Sequence, residues 1–191
     1  MGPAGRGPPS GKSGAELTGP VERDRSDPVF GWRYWQLSPR RLLRSVTQRG
    51  FEWPPGRVLK AVCVEIGHPA PASHCNCGIY ANPDMEALRQ HGLCLAPDVI
   101  VVGQVGLWGK VVVDEPSYRG EFGYPARLSL VVDSLVDDTP VETLVDGLGA
   151  YGVPVHTTSL DDAVAGMSAD MLRFQAMSRS TSRIDLDWKG E

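Results

Sequence analysis

Apolar and polar side chains alternate with a period of two along Phe30-Gly-Trp-Arg-Tyr-Trp-Gln-Leu37. Trp32, Tyr34 and Gln36 fall on one side and Arg33, Trp35 and Leu37 on the other. That period predicts a strand with one aromatic face. Leu42–Thr47 fits a second short strand or a single helical turn. Trp53-Pro-Pro-Gly56 reads as a rigid turn, because proline fixes its own φ and extends its predecessor. An apolar run predicts a strand over Val58–Ile66, after which Pro69 and Pro71 forbid regular structure. Val99–Val102 and Val105–Val113 are rich in β-branched residues and predict strands, with Gly103 between them or as a bulge. Tyr118–Gly123 is polar and reads as a loop, and Arg127–Val132 as another strand.

Three helices are predicted between these strands. Met85–Gln90 has Asp84 placed to cap it and Gly92 to stop it. A second begins with Thr139 as cap, Pro140 at the first position and Glu142 as capping-box partner, and runs to about Ala150. Ser159–Met167 forms a third, with Ser159 facing Asp162 three residues on. Val153–His156 is a short edge strand, since Pro154 cannot donate into a central ladder. Strands outnumber helices and no long repeat is visible. The predicted fold is α+β: a mostly antiparallel bent sheet or small barrel with two or three short helices.

Composition sets the limits of that domain. Residues 1–28 are Gly/Pro/Ser-rich and nearly free of large apolar side chains, which predicts a disordered tail. A single globular domain is expected over 29–177, with a flexible, polar C-terminal tail over 178–191. Val99–Val113, the longest apolar run, is interrupted by Gln104, Lys110 and three glycines, so no membrane partner is expected. The first residues lack a basic-then-apolar leader, and four cysteines are sparse for a secreted disulfide scaffold. Reduced thiols in a cytoplasm are the expectation. Gly7-Pro-Pro-Ser-Gly-Lys-Ser13 mimics a phosphate-binding loop, but Arg6 stands where its first glycine belongs.

The net charge of −4 is unevenly placed: eleven Lys/Arg against five Asp/Glu precede residue 61, and eight against eighteen follow it. Such asymmetry suits either a basic face or two halves that attract each other. Arg40, Arg41 and Arg44 lie in the basic part, close to Trp32, Trp35 and Trp53. Trp108, Tyr118 and Arg119 add a second aromatic and charged group. Together these residues predict a surface for a protein or small-molecule partner, carried by a noncatalytic binding or adaptor module. Nucleic acid is an alternative partner for the same stripe, disfavoured by the acidic pI near 5.6. No familiar catalytic signature is present, so an enzyme is not favoured.

Gly31-Trp-Arg-Tyr-Trp35, Trp53-Pro-Pro-Gly56, Cys75-Asn-Cys-Gly-Ile-Tyr-Ala81, Gly106-Leu-Trp-Gly109 and Tyr151-Gly-Val-Pro-Val155 occur in this order. In these landmarks the chain resembles a loose group of small actinobacterial proteins of unknown function. The resemblance spans residues 30 to 155, with Cys-x-Cys-Gly as its most specific part. It implies no activity, substrate or cofactor.

The stretch HPAPASHCNCGIYA, from His68 to Ala81, concentrates the chemistry. Three readings compete. As a structural loop it needs no cofactor: its cysteines pack as small apolar side chains, and Gly78 turns the chain into Ile79-Tyr80-Ala81. As a zinc site it offers Cys75, Cys77, His68 and His74, with Cys94, His91 or Cys63 as further ligands. One residue between Cys75 and Cys77 is tighter than the usual zinc spacing, which favours the structural loop. As a small cysteine-dependent enzyme it would use Cys75 or Cys77, but adjacency of His74 on an extended chain is poor evidence of contact.

Overall fold

Three strands longer than the sequence pattern predicts carry the fold. The computed structural model describes residues 20–48, 50–91, 95, 100–114, 117–134 and 139–186; of the side chains, Ala176 and those beyond Ser178 are excepted. In it β1 (Val21–Leu37), β6 (Ile100–Asp114) and β7 (Ser117–Val131) lie side by side, antiparallel. β2 (Leu43–Ser45) and β3 (Glu52–Trp53) extend the sheet past β1. The outer edge of β7 pairs in turn with β5 (Ile79–Ala81), β4 (Leu59–Lys60) and β8 (Val155–Thr158), of which only β8 is parallel. The helices are α1 (Met85–Arg89), α2 (Val141–Gly149), α3 (Leu160–Ala163) and α4 (Gly166–Leu186).

The α+β class holds, and the sheet is curled, mixed and open. It is not a closed barrel, because the strand order β3-β2-β1-β6-β7-β4 ends on two strands that do not pair. Among the described residues four helices stand where two or three were expected, since Gly166–Leu186 is a separate helix reaching well into the expected tail. At the other end, Val21–Arg25 pair with Val113–Gly109, so β1 starts inside the segment expected to be disordered. The long β6 supplies the backbone partners that composition alone does not reveal. Tyr118–Gly123 is part of β7, held by β6 on one side and by β5 and β4 on the other. The strand expected over Val58–Ile66 shortens to Leu59–Lys60, because the chain bends back on itself between Val62 and Pro69.

Successive side chains on a strand point to opposite faces, and here both faces are buried. Trp35, Leu37, Val101, Leu107, Leu128 and Leu130 pack on one side with Leu144, Leu148 and Tyr151 of the α2 region. Tyr34, Ile100, Val102 and Val131 pack on the other with Leu88, Leu160, Ala163 and Leu172 of the remaining helices. Between β6 and β7 the backbones come very close at Gly103, where a Cβ would lie 2.0 Å from the Arg127 carbonyl oxygen. Only glycine fits there. A register shift follows between Gln104 and Val105, which bends the pair.

The caps at Asp84 and Ser159 form as expected, accepting from Ala87 N and Asp162 N. Pro140, not Thr139, precedes the first turn of α2, and its ring offers no capping bond. The predicted stop at Gly92 lies outside the described residues.

The Tyr151 hydroxyl ties β2 to β3 from above, donating to Trp53 O at 2.5 Å and accepting from Leu43 N at 2.8 Å. Tyr151→Phe should leave two buried backbone groups unpaired and cost about 1–3 kcal/mol. Urea unfolding checks this, and an unchanged midpoint would contradict it.

Candidate metal centre

The chain between β4 and β5 folds over the end of the sheet where β6 turns into β7. Ala61 N donates to Glu121 O at 2.7 Å, Val62 bridges to Pro69, and Cys75 N donates to Ala72 O at 3.2 Å. Cys63, Ala70, Ala72 and Cys75 form a small buried cluster of their own. Gly78 leads the chain out with φ +130, and a Cβ there would meet Arg119 Cβ at 3.0 Å and Pro71 Cβ at 3.1 Å. Both reasons for glycine apply at once.

The fold brings together Cys63, His68, Cys75 and Cys77, whose ligand atoms all lie within 4.8 Å of one another. Cys63 Sγ and Cys75 Sγ are 3.9 Å apart, and Cys77 Sγ is 3.8 Å from His68 Nε2. A tetrahedron with metal–sulfur bonds of about 2.3 Å has edges of roughly 3.8 Å. The sulfurs are too far apart for a disulfide, and all three are free thiols. His68 Nδ1 donates to Pro69 O at 2.8 Å. A carbonyl only accepts, so this bond puts the proton on Nδ1 and leaves the Nε2 lone pair facing the sulfurs. These four residues can hold a metal ion such as zinc.

The electrostatics differ from one donor to the next. The Ile66 backbone N–H bonds to the Cys63 sulfur and is the main reason its thiol falls to about 6; burial opposes this, and the Glu65 and Gly67 backbone groups assist. Burial pushes the Cys77 thiol up to about 11, with the Cys75 side chain adding to it. The bond to Pro69 raises His68 above its ordinary value, with the neighbouring sulfurs adding.

Arg119 anchors the loop from beneath. It was expected in a loop, but it lies within β7 and is 1% exposed. Its Nη1 donates to the carbonyls of Ala72 (3.0 Å), Cys75 and Cys77 (3.2 Å), and Nη2 lies 3.4 Å from Asp114 Oδ2. Glu121, two residues on, pairs with Lys60 at 3.5 Å. A second tie comes from β1, where Glu22 accepts from Ser73 N at 2.7 Å and pairs with Lys110 at 2.7 Å.

Beside the centre lies a cavity of about 530 Å³, with Cys63, Cys75 and Cys77 in one wall and Arg33, Trp53 and Leu88 among its other lining residues. The Arg33 guanidinium sits 4.8 Å from the Trp53 ring centroid and 5.3 Å from that of Trp35, and Nη1 donates to Tyr80 O at 3.1 Å.

The remaining expected site residues are dispersed. Trp35 and Trp53 are 0% and 1% exposed and meet edge to face at 5.6 Å, so neither ring is part of an outer surface. Trp32 is half-buried with Arg127 at 6.0 Å, Trp108 stacks on Phe122 at 6.2 Å, and half-buried Tyr118 packs against the core. Arg40 is exposed and reaches Glu52 at 3.7 Å; Arg41 is exposed and Arg44 half-buried. His74 is exposed and lies against the His68 ring at 5.4 Å, outside the four-donor set. His91 lines the cavity, and Cys94 lies outside the described residues. Comparison with family models, curated proteins and solved structures finds no match.

Two outcomes follow from the ties on this loop. For a metal held by the four donors, Arg119→Gln should weaken affinity about 10–100-fold, because the loop carbonyls lose the group that orients them. Competition against a chromophoric chelator measures it. Lys110, then the Ser73 N–H, holds the Glu22 carboxyl down at about 2 from an ordinary 4.5. Its folded value lies below its unfolded one, so its stabilisation is complete above the ordinary value and disappears as pH falls toward about 2. The stability difference between the native chain and Glu22→Gln should therefore shrink over that window. A difference independent of pH would contradict it.

Proposed function

We propose that Cys63, His68, Cys75 and Cys77 hold one structural zinc ion, and that the chain is a noncatalytic binding module whose cavity this zinc keeps in shape. The convergence of three sulfurs and one imidazole nitrogen within 4.8 Å carries the reading. Thiolate-rich Cys₃His sets suit zinc, and four protein ligands fill a tetrahedral shell with no open position for a substrate. The shared wall between the four-donor set and the cavity supports a role for the metal in shaping a pocket. Burial of Cys63 and Cys75, at 4% and 9% exposure, weighs against a thiol enzyme. The basic stripe offers less to nucleic acid than its sequence suggested, since Arg40 and Lys60 reach Glu52 and Glu121 and Arg33 lines the cavity.

Elemental analysis of protein purified without chelator should find about one zinc per chain. Chelation should lower stability by about 4 kcal/mol relative to free zinc held a thousandfold above its Kd. Cys75→Ser combined with Cys77→Ser should abolish both the metal and the chelator effect. A metal-free chain that melts identically with and without added zinc would overturn the reading.

A further inference from the structure

We infer that the cavity beside the metal centre binds a small organic anion, a carboxylate or phosphate on a flat apolar body, with Arg33 as its counter-ion. This names the ligand class for the binding module proposed above and rests on that reading. Arg33 projects from β1 into the cavity between aromatic rings, and among the described residues no carboxylate pairs with it. Its hydrogen bond uses Nη1 alone, and its buried Nε has no partner. Burial lowers the guanidinium to about 10.

Arg33 is half-buried, with its Nε out of contact with solvent, and a cation so placed without a counter-charge is costly, because ring faces replace only part of the hydration it loses. An incoming anion supplies the missing partner. Guanidinium recognises carboxylate and phosphate alike, through paired charge-assisted bonds. Among the described residues the cavity lining has one other firmly basic group, Lys60, which is already paired with Glu121, and one carboxylate, Glu65, which is exposed.

The rest of the lining selects the body of the ligand. Phe51, Trp53, Leu59, Ile79 and Leu88 give apolar walls. At the lip, Val62 and Val64 are 58% and 63% exposed and line the same cavity, so a flat apolar group entering it covers them. A volume of about 530 Å³ falls within the range of small-molecule sites. Cys63 lies between these two valines, is buried, and belongs to the four-donor set. The metal would thus fix the lip that the ligand touches.

Calorimetric titration of the full-length zinc-loaded chain with 2-naphthoate, 2-naphthyl phosphate and the neutral 2-naphthamide tests the assignment. At least one anion should saturate below about 1 mM, with the amide about tenfold weaker or more. The preferred anion separates a carboxylate from a phosphate source. Arg33→Met should reduce the anion to the affinity of the amide while zinc content and amide binding stay unchanged. If that variant fails to fold, the anion–amide comparison on the native chain still decides. Equal affinity for amide and anion, or no saturation by either anion, overturns the assignment. Zinc content measured on the same samples separates the two readings. A loaded chain that ignores charge sinks this inference alone, and a folded, metal-free chain that selects anions sinks the zinc.

Discussion

One guanidinium joins the sheet to the loop that carries the chemistry. Arg119 leaves β7 beneath the cysteine stretch and gathers the carbonyl oxygens of Ala72, Cys75 and Cys77. Those carbonyls sit in a segment with little secondary structure of its own, where each unpaired buried oxygen would cost free energy. A charged donor with several N–H groups satisfies them from one point, and it also sets how the two cysteines turn their sulfurs. Asp114 on β6 balances part of the charge. The backbone approach at Gly78 is what brings the loop within reach of that side chain.

The sheet that holds Arg119 is itself pinned from both faces. Tyr34 and Trp35 are neighbours in the chain and belong to different cores, one closed by α1, α3 and α4 and the other by α2. With neither face free to slide, the register between β6 and β7 is held, and register decides which strand residues meet the loop. The four candidate donors inherit their positions from hydrophobic packing some distance away.

Much of this was legible in the chain. Alternation along Phe30–Leu37 marked the two faces of β1, and the caps at Asp84 and Ser159 marked two helix starts. The cysteine stretch announced itself through composition, and Gly78 through its place after Cys-x-Cys. What remained hidden depends on contacts between distant segments. Cys63 was one of three candidates for a further ligand; it sits in an apolar run twelve residues before Cys75, and the bends at residues 64–66 bring the chain back so that the two sulfurs meet. His68 and His74 stood as equal candidates in the chain, and the four-donor set takes His68. Val21–Pro28 reads as polar linker because its order comes from a partner strand near residue 110 and not from its own side chains.

That partnership has a consequence for how the chain assembles. β6 and β7 are joined by a short connection and can pair as soon as both exist, whereas Val21 must find Val113 across most of the domain. Pairings so distant in sequence are slow to close. Until then β1 has only the short β2 beside its end, and its aromatic second half keeps an open edge, the kind of segment that associates with other copies of itself. Its first half reads Glu22-Arg-Asp-Arg25 and Asp27 before Pro28. Dense alternating charge and a proline are what keep an exposed strand from wrong neighbours. The residues that made this segment look like a tail serve as its escort until β6 is in place.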